Sequence, residues 1–208
     1  MVKIPPSPAQ PSAGPSSGPQ MSPRVTHRID EAFIVNMCTA LVKQRNGAVL
    51  VFLPGKMEIE SLLRRMRSDK FLGNQNNASV YPLYSQVPKH LQKLAIAPVK
   101  QGTKIVLSTN VTETSVTIPD VVHVVDTGIV KELRYKAGSG MKDLVTVWIS
   151  EASMKQRSGR AGRVQSGHCW RLFAQDTAAF TPFTIPEIFR TPLEDLILQV
   201  LLLEENER

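Results

Sequence analysis

The sequence predicts an α/β domain: a parallel sheet flanked by helices. Three observations carry that prediction. Short, largely apolar strand stretches recur along the chain, helical patterns lie between them, and Pro54-Gly55 ends the first, continuous apolar run. An uninterrupted apolar run marks a strand buried on both faces, as in parallel sheets covered by helices.

Residues 1–26 form a Pro/Ser-rich leader, with seven of the fifteen prolines in the first 24 positions. Such a segment has too little apolar surface to offset the entropy of ordering it, so disorder is expected there. A domain is then expected over residues 27–176. Phe33, Ile34, Met37, Cys38, Leu41 and Val42 recur at helical spacing and make one apolar stripe. Ala48–Leu53 (AVLVFL) is a buried strand ended by Pro54-Gly55, and Met57–Met66 reads as a helix. A strand at Ser79–Leu83 precedes a helix near Lys89–Val99. A strand at Lys104–Ser108 precedes a short helical turn, and Val121–Asp126 is a further strand. Alternation of this kind indicates βαβ units in a sheet of about five or six strands.

Two stretches break the rhythm. Ile129–Tyr135 and Leu144–Ile149 flank Gly138-Ser139-Gly140 and read as a β-hairpin inserted into the sheet order. After Leu172-Phe173 the chain is punctuated by prolines, then gives an apolar helix at Leu193–Leu203. Too little sequence follows that helix to cover it, so residues 177–208 are expected to be a linker and the beginning of a further domain.

Composition narrows the function classes. No run approaches the roughly 18 apolar residues of a membrane span, and the N-terminus lacks the apolar stretch of a secretory signal. An intracellular address, cytoplasm or nucleus, is expected. Cys38 and Cys169 form no ligand pair, and His27, His90, His123 and His168 have no metal-ligand spacing. A formal charge of +7 and a pI near 9.6 favour polyanionic partners.

The most informative stretch is Gln156-Arg157-Ser158-Gly159-Arg160-Ala161-Gly162-Arg163. On a continuous helix Gln156, Arg160 and Arg163 fall at i, i+4 and i+7 and share a face. Two guanidiniums and an amide on one face suit a phosphate group that gains charge during transfer. A solvated basic face or a general RNA-contact patch is the rival reading, and the spacing with its glycines weighs against it.

QRSGRAGR resembles motif VI of the DEAH/RHA-type superfamily 2 RNA helicases. Ser108 to Ile118 (STNVTETSVTI) resembles motif V, and Val51-Phe52-Leu53-Pro54-Gly55 resembles motif IV. Leu83-Tyr84-Ser85 followed by Gln92 is similar to the segment after motif IV, and Pro186-Glu187-Ile188 through Arg190 and Leu193 to the approach to that family's winged-helix domain. The resemblance covers roughly residues 30–175 in the family's order.

This resemblance implies a RecA-like lobe, the second of two, with a hairpin insertion and the start of a winged-helix domain. It implies that Gln156, Arg160 and Arg163 reach the γ-phosphate of ATP, with Arg163 as the arginine finger. Ser115 and Thr117 would sit near the nucleotide and its hydrated Mg²⁺, and Thr109 and Asn110 on the RNA backbone. The partners implied are RNA, a first RecA-like lobe and further C-terminal helicase domains; no membrane is implied. In the family the hairpin lies near the RNA path; a purely structural extension is the other reading here. Thr112 stands where Ala is usual, and Asp120 is displaced by one position from an acidic residue of some members, so it is given no nucleotide role. Arg157 falls off the phosphate-facing side and is expected in a salt bridge. The sequence holds no GxxxxGK[ST] loop and no DEAH run. Without a phosphate cradle these arginines would add little alone, because phosphoryl transfer needs positioning and charge together.

Overall fold

The computed structural model describes residues 22–25, 29–99, 101–135, 142–162, 166–174, 180–186, 197, 198 and 200–203. The element order is α1 (Glu31–Gln44), β1 (Ala48–Phe52), α2 (Lys56–Ser68), β2 (Ala78–Leu83), α3 (Lys89–Ile96) and β3 (Thr103–Ser108). There follow α4 (Val111–Thr114), β4 (Val121–Asp126), β5 (Ile129–Tyr135), β6 (Lys142–Trp148), α5 (Glu151–Ser158) and β7 (His168–Arg171).

Five strands form one parallel sheet in the order β2-β3-β1-β4-β7. β1 lies at its centre, and every residue of AVLVF is buried. Alternate side chains of β1 feed two cores. Val49 and Val51 join Ile34, Cys38, Leu41, Ile59, Leu62 and Met66 from α1 and α2. Leu50 and Phe52 join Val106, Val124, Ala95 of α3 and Ile118 on the opposite face. A strand apolar on both sides is therefore a strand with helices on both sides, as its composition demanded.

Local chemistry sets the helix ends. Asp30 caps α1 by accepting from the Phe33 amide at 2.9 Å, and Arg45 closes that helix in the left-handed region at φ 52°. Cys38 lies in the first core, where burial pushes its thiol up to about 12. That is the behaviour of an inert packing residue.

The expected hairpin insertion is present after β4, and β5 and β6 form it as an antiparallel pair outside the parallel sheet, in register from Ile129↔Trp148 to Tyr135↔Lys142. Its expected turn, Gly138-Ser139-Gly140, lies outside the described residues. Lys131 fastens the pair to α2 through Glu58 at 2.7 Å. The leader was expected to be disordered to residue 26, yet residues 22–25 lie along β6. Val25 donates to the Thr146 carbonyl at 2.9 Å, and Arg24 bridges Val147. The backbone explains this, because β6 presents a row of unpaired peptide groups that a neighbouring segment can satisfy. Residues 1–21 lie outside the described residues.

At the other end of the chain, residues 180–186 lie against the lobe. The carbonyls of Thr181 and Pro182 accept from the first amides of α5, Glu151 and Ala152, groups that no helix can satisfy internally. Phe173 and Phe180 pack around Trp148, with ring centroids 5.5–6.0 Å apart. Gly128, at φ +74°, is needed there because any Cβ would enter the Phe173 ring. Of the expected helix at Leu193–Leu203, positions 197, 198 and 200–203 are helical, with their apolar side chains exposed. No helix among the described residues is long and apolar enough to cross a membrane.

On β4, His123 is buried and stacks on His168 of β7 at 5.9 Å, with its Nε2 bonded to Asn46 at 2.8 Å. Burial first, and the charge of His168 second, lower its pKa below the ordinary 6.5. The folded chain therefore binds this proton less readily than the unfolded one, and stability falls as pH drops below 6.5 towards the lowered folded value. We predict that urea denaturation from pH 7.5 to 5 shows this decline, and that His123→Gln flattens it. An unchanged slope in the variant would contradict the assignment.

Candidate functional site

The carboxyl ends of the parallel strands bring the singled-out residues to one rim. β1 delivers Phe52, β3 delivers Ser108 and then Thr109 and Asn110, and β4 delivers Asp126. In open α/β sheets this rim is where ligands bind.

Two short helices stand on the rim. α4 is a single turn, and α5 has two. Asn110 starts α4 without a side-chain cap bond. Ser150 caps α5 by accepting from the Ser153 amide at 3.2 Å. A groove of about 550 Å³ runs between them and the hairpin. Asn110, Glu113 and Thr114 line one side, Gln156 and Ser153 another, and Lys131 of β5 a third, with Phe183 at its edge.

Arg157 holds this arrangement. It is fully buried, and its guanidinium donates from Nε to Glu113 Oε1 at 2.7 Å and from Nη1 to Asp126 Oδ1 at 2.8 Å. The face of Phe52 covers it at 4.8 Å. Burial opposes its charge, but Asp126 and then Glu113 outweigh burial and raise its pKa above the ordinary value. The expected salt bridge of Arg157 is thus present, and it joins the turn after β3, the end of β4 and α5. Glu113 also accepts from Ser153 Oγ at 3.2 Å, and its backbone carbonyl accepts from Arg160.

The continuous helix expected beneath Gln156, Arg160 and Arg163 ends early. α5 ends at Ser158, and the chain continues in tight turns, with the Arg160 amide on Arg157 and the Ala161 amide on Ser158. These are i to i−3 bonds at about three residues per turn, so four residues no longer return to the same azimuth. Gly162, at φ +80°, then leaves helical geometry. Gln156 is exposed in the groove, whereas Arg160 turns inward and donates to the carbonyls of Glu113 and of Val116, the latter at 3.4 Å. Arg163 lies outside the described residues.

The other candidates fall into place around these. Ser115 is exposed at the end of α4, within 3.3 Å of the Thr114 hydroxyl, and Thr117 is exposed two residues on. Thr109 is half-buried behind Asn110. Thr112 is buried and bonds Ser108 Oγ at 3.0 Å, so the hydroxyl in place of a methyl is satisfied. Asp120 pairs with buried Lys104 at 2.8 Å, below the amino end of β4 and away from the rim. Arg64, Arg65 and Arg67 of α2 are exposed. No metal-binding cluster of His, Cys, Asp or Glu occurs among the described residues.

Sequence reasoning missed Glu113, Asp126 and Ser153. Asp126 did carry a signal, a carboxylate closing the otherwise apolar VVHVVD strand. Glu113 carried none, since an acid in a polar turn reads as solvated until its buried partner is known.

Comparison with known proteins agrees with this geometry. The family model described as "Helicase conserved C-terminal domain" matches residues 32–165. The DExH-box ATP-dependent RNA helicase DExH2 of Arabidopsis thaliana is 39% identical over 181 residues, covering 86% of this chain and 12% of the relative. The ATP-dependent RNA helicase DHX30 of Homo sapiens is 45% identical over 156 residues, covering 74% of this chain and 13% of the relative. Among solved structures, the E. coli DExH-box NTPase HrpB superposes with a TM-score of 0.72 at 32% identity, covering 88% of this chain and 22% of that one. The chain therefore spans about an eighth of the length of these curated relatives.

Removing the cation should expose the cost of two buried acids. We predict that Arg157→Met lowers stability by about 3–5 kcal/mol in urea denaturation. A loss under about 1 kcal/mol, the range of a solvated ion pair, would contradict the burial of this bridge.

Proposed function

The chain belongs to the helicase C-terminal family of the DEAH/RHA-type RNA helicases, and from that premise we propose that it acts as the second RecA-like lobe of an ATP-dependent RNA helicase. In this reading it contributes the arginine side of a nucleotide site and a grip on the RNA backbone. One observation carries the proposal: the Asn110 turn and the Gln156 helix line a common groove at the ligand-binding rim of the sheet, joined behind it by Arg157.

The groups at the rim suit part of a nucleotide. Gln156, Arg160 and Arg163 would serve the terminal phosphate, with Arg163 the finger, and Ser115 and Thr117 would lie near the nucleotide and its hydrated Mg²⁺. Bound ATP supplies the transferable phosphoryl group; these residues orient it and neutralise the charge it develops. The carboxylates closest to the rim do not suit Mg²⁺, because Glu113 and Asp126 are engaged by Arg157. A first lobe would hold the metal and the phosphate loop, so this chain alone would not turn ATP over.

Thr109 and Asn110 are uncharged and would contact RNA phosphate and sugar, which suits a protein that reads no particular sequence. The hairpin supplies a groove wall through Lys131, and that favours a place for it on the RNA path. The exposed apolar helical residues 197, 198 and 200–203 would belong to the beginning of a winged-helix domain. A rival reading, a non-catalytic RNA- or protein-binding module, draws on the inward turn of Arg160 onto backbone carbonyls.

We predict that mixing the chain with a first lobe bearing the phosphate loop restores RNA-stimulated ATPase. Arg163→Ala should then lower turnover by about 10³-fold. Salt-dependent RNA binding with no turnover in the mixture would support the binding module instead.

A further inference from the structure

Glu113 is the point at which the α5 segment takes hold of α4. Three residues of that segment bond it: Ser153 and Arg157 on the carboxylate, Arg160 on the backbone carbonyl. α4 is four residues long, and a single helical turn does not persist in water without tertiary support. Asn110 immediately precedes that turn, and its carbonyl accepts from the Glu113 amide at 2.9 Å. The position of Asn110 on the groove wall thus follows the position of Glu113, and Glu113 follows Arg157.

The bridge is also an odd choice if cohesion were its whole purpose. Asp126 Oδ2 and Arg157 Nη2 are buried and make no hydrogen bond within the protein. Apolar side chains of the same volume stabilise such a site equally well or better. What an Arg fork adds is direction, since its planar donors fix two carboxylates at set angles.

We infer that Arg157 is a positioning residue for RNA binding: through Glu113 it sets where Asn110 stands in the groove, although it never meets RNA itself. This rests on the RNA reading above. The arrangement also makes α4 and the start of α5 one body, so Gln156 and Asn110 keep a fixed separation.

A double-mutant cycle on this chain tests the inference, with fluorescein-labelled oligouridylate as the probe, well below the melting midpoint. Arg157→Lys keeps the charge and removes the fork. Alone, Asn110→Ala and Arg157→Lys should each weaken binding about fivefold, and together little more than the larger single effect, because both remove one contact. The salt dependence in Arg157→Lys should match wild type, since no phosphate contact is lost. Multiplying effects, about 25-fold in the double variant, or wild-type affinity in Arg157→Lys, would overturn the inference while leaving the RNA reading intact. No oligouridylate binding by wild type would overturn the RNA reading, and the inference with it. If Arg157→Lys does not fold, Glu113→Gln replaces it in the same cycle, with its coupling to Asn110→Ala alone deciding, because Glu113 itself lines the groove.

Discussion

One buried cation organises this molecule's functional rim. Strand ends held by the sheet ladder, a one-turn helix and a two-turn helix meet at the carboxyl edge of the sheet, and the one-turn helix is too short to be fixed by its own backbone bonding. Arg157 meets all of them, with Asp126 from β4, Glu113 from α4 and the Phe52 ring from β1. Charge makes the arrangement specific. A guanidinium cannot shed its proton to relieve burial, so its two carboxylates must stay where its fork points. The segments that carry Asn110 and Gln156 are thereby held against each other.

The parallel sheet supplies the frame on which this bridge can form. Helices on both faces bury β1 completely and make its end a rigid platform. Accessory segments add to the frame. Residues 22–25 pair along β6, Lys131 anchors β5 to α2, and the 181–182 carbonyls close the open end of α5. The groove is walled by elements fastened from behind.

Much of this was legible in the sequence. The apolar run at 48–53 read as a strand buried on both faces and the stretches at 104–108 and 121–126 as strands, and all three lie in buried strands. The salt bridge of Arg157 followed from its place off the Gln156 face. Other features were not legible, for physical reasons. A helix was extended through Gly159 and Gly162 because side-chain spacing alone does not reveal where hydrogen bonding shifts from i−4 to i−3. Past that shift Arg160 donates to the backbone carbonyls of Glu113 and Val116. The order around residue 24 was hidden because it depends on a distant strand edge, and no local composition encodes such a partner. The role of Glu113 was hidden for the same reason, since its partner lies 44 residues away.

The most direct measurement is native-state hydrogen exchange at α4. If the Arg157 bridge makes α4 part of the body of the lobe, the amides of Glu113 and Ser115 open with the same free energy as the core amide of Val51. If those two amides exchange orders of magnitude faster while Val51 stays protected, α4 is a loosely attached turn, and the bridge does not govern the rim.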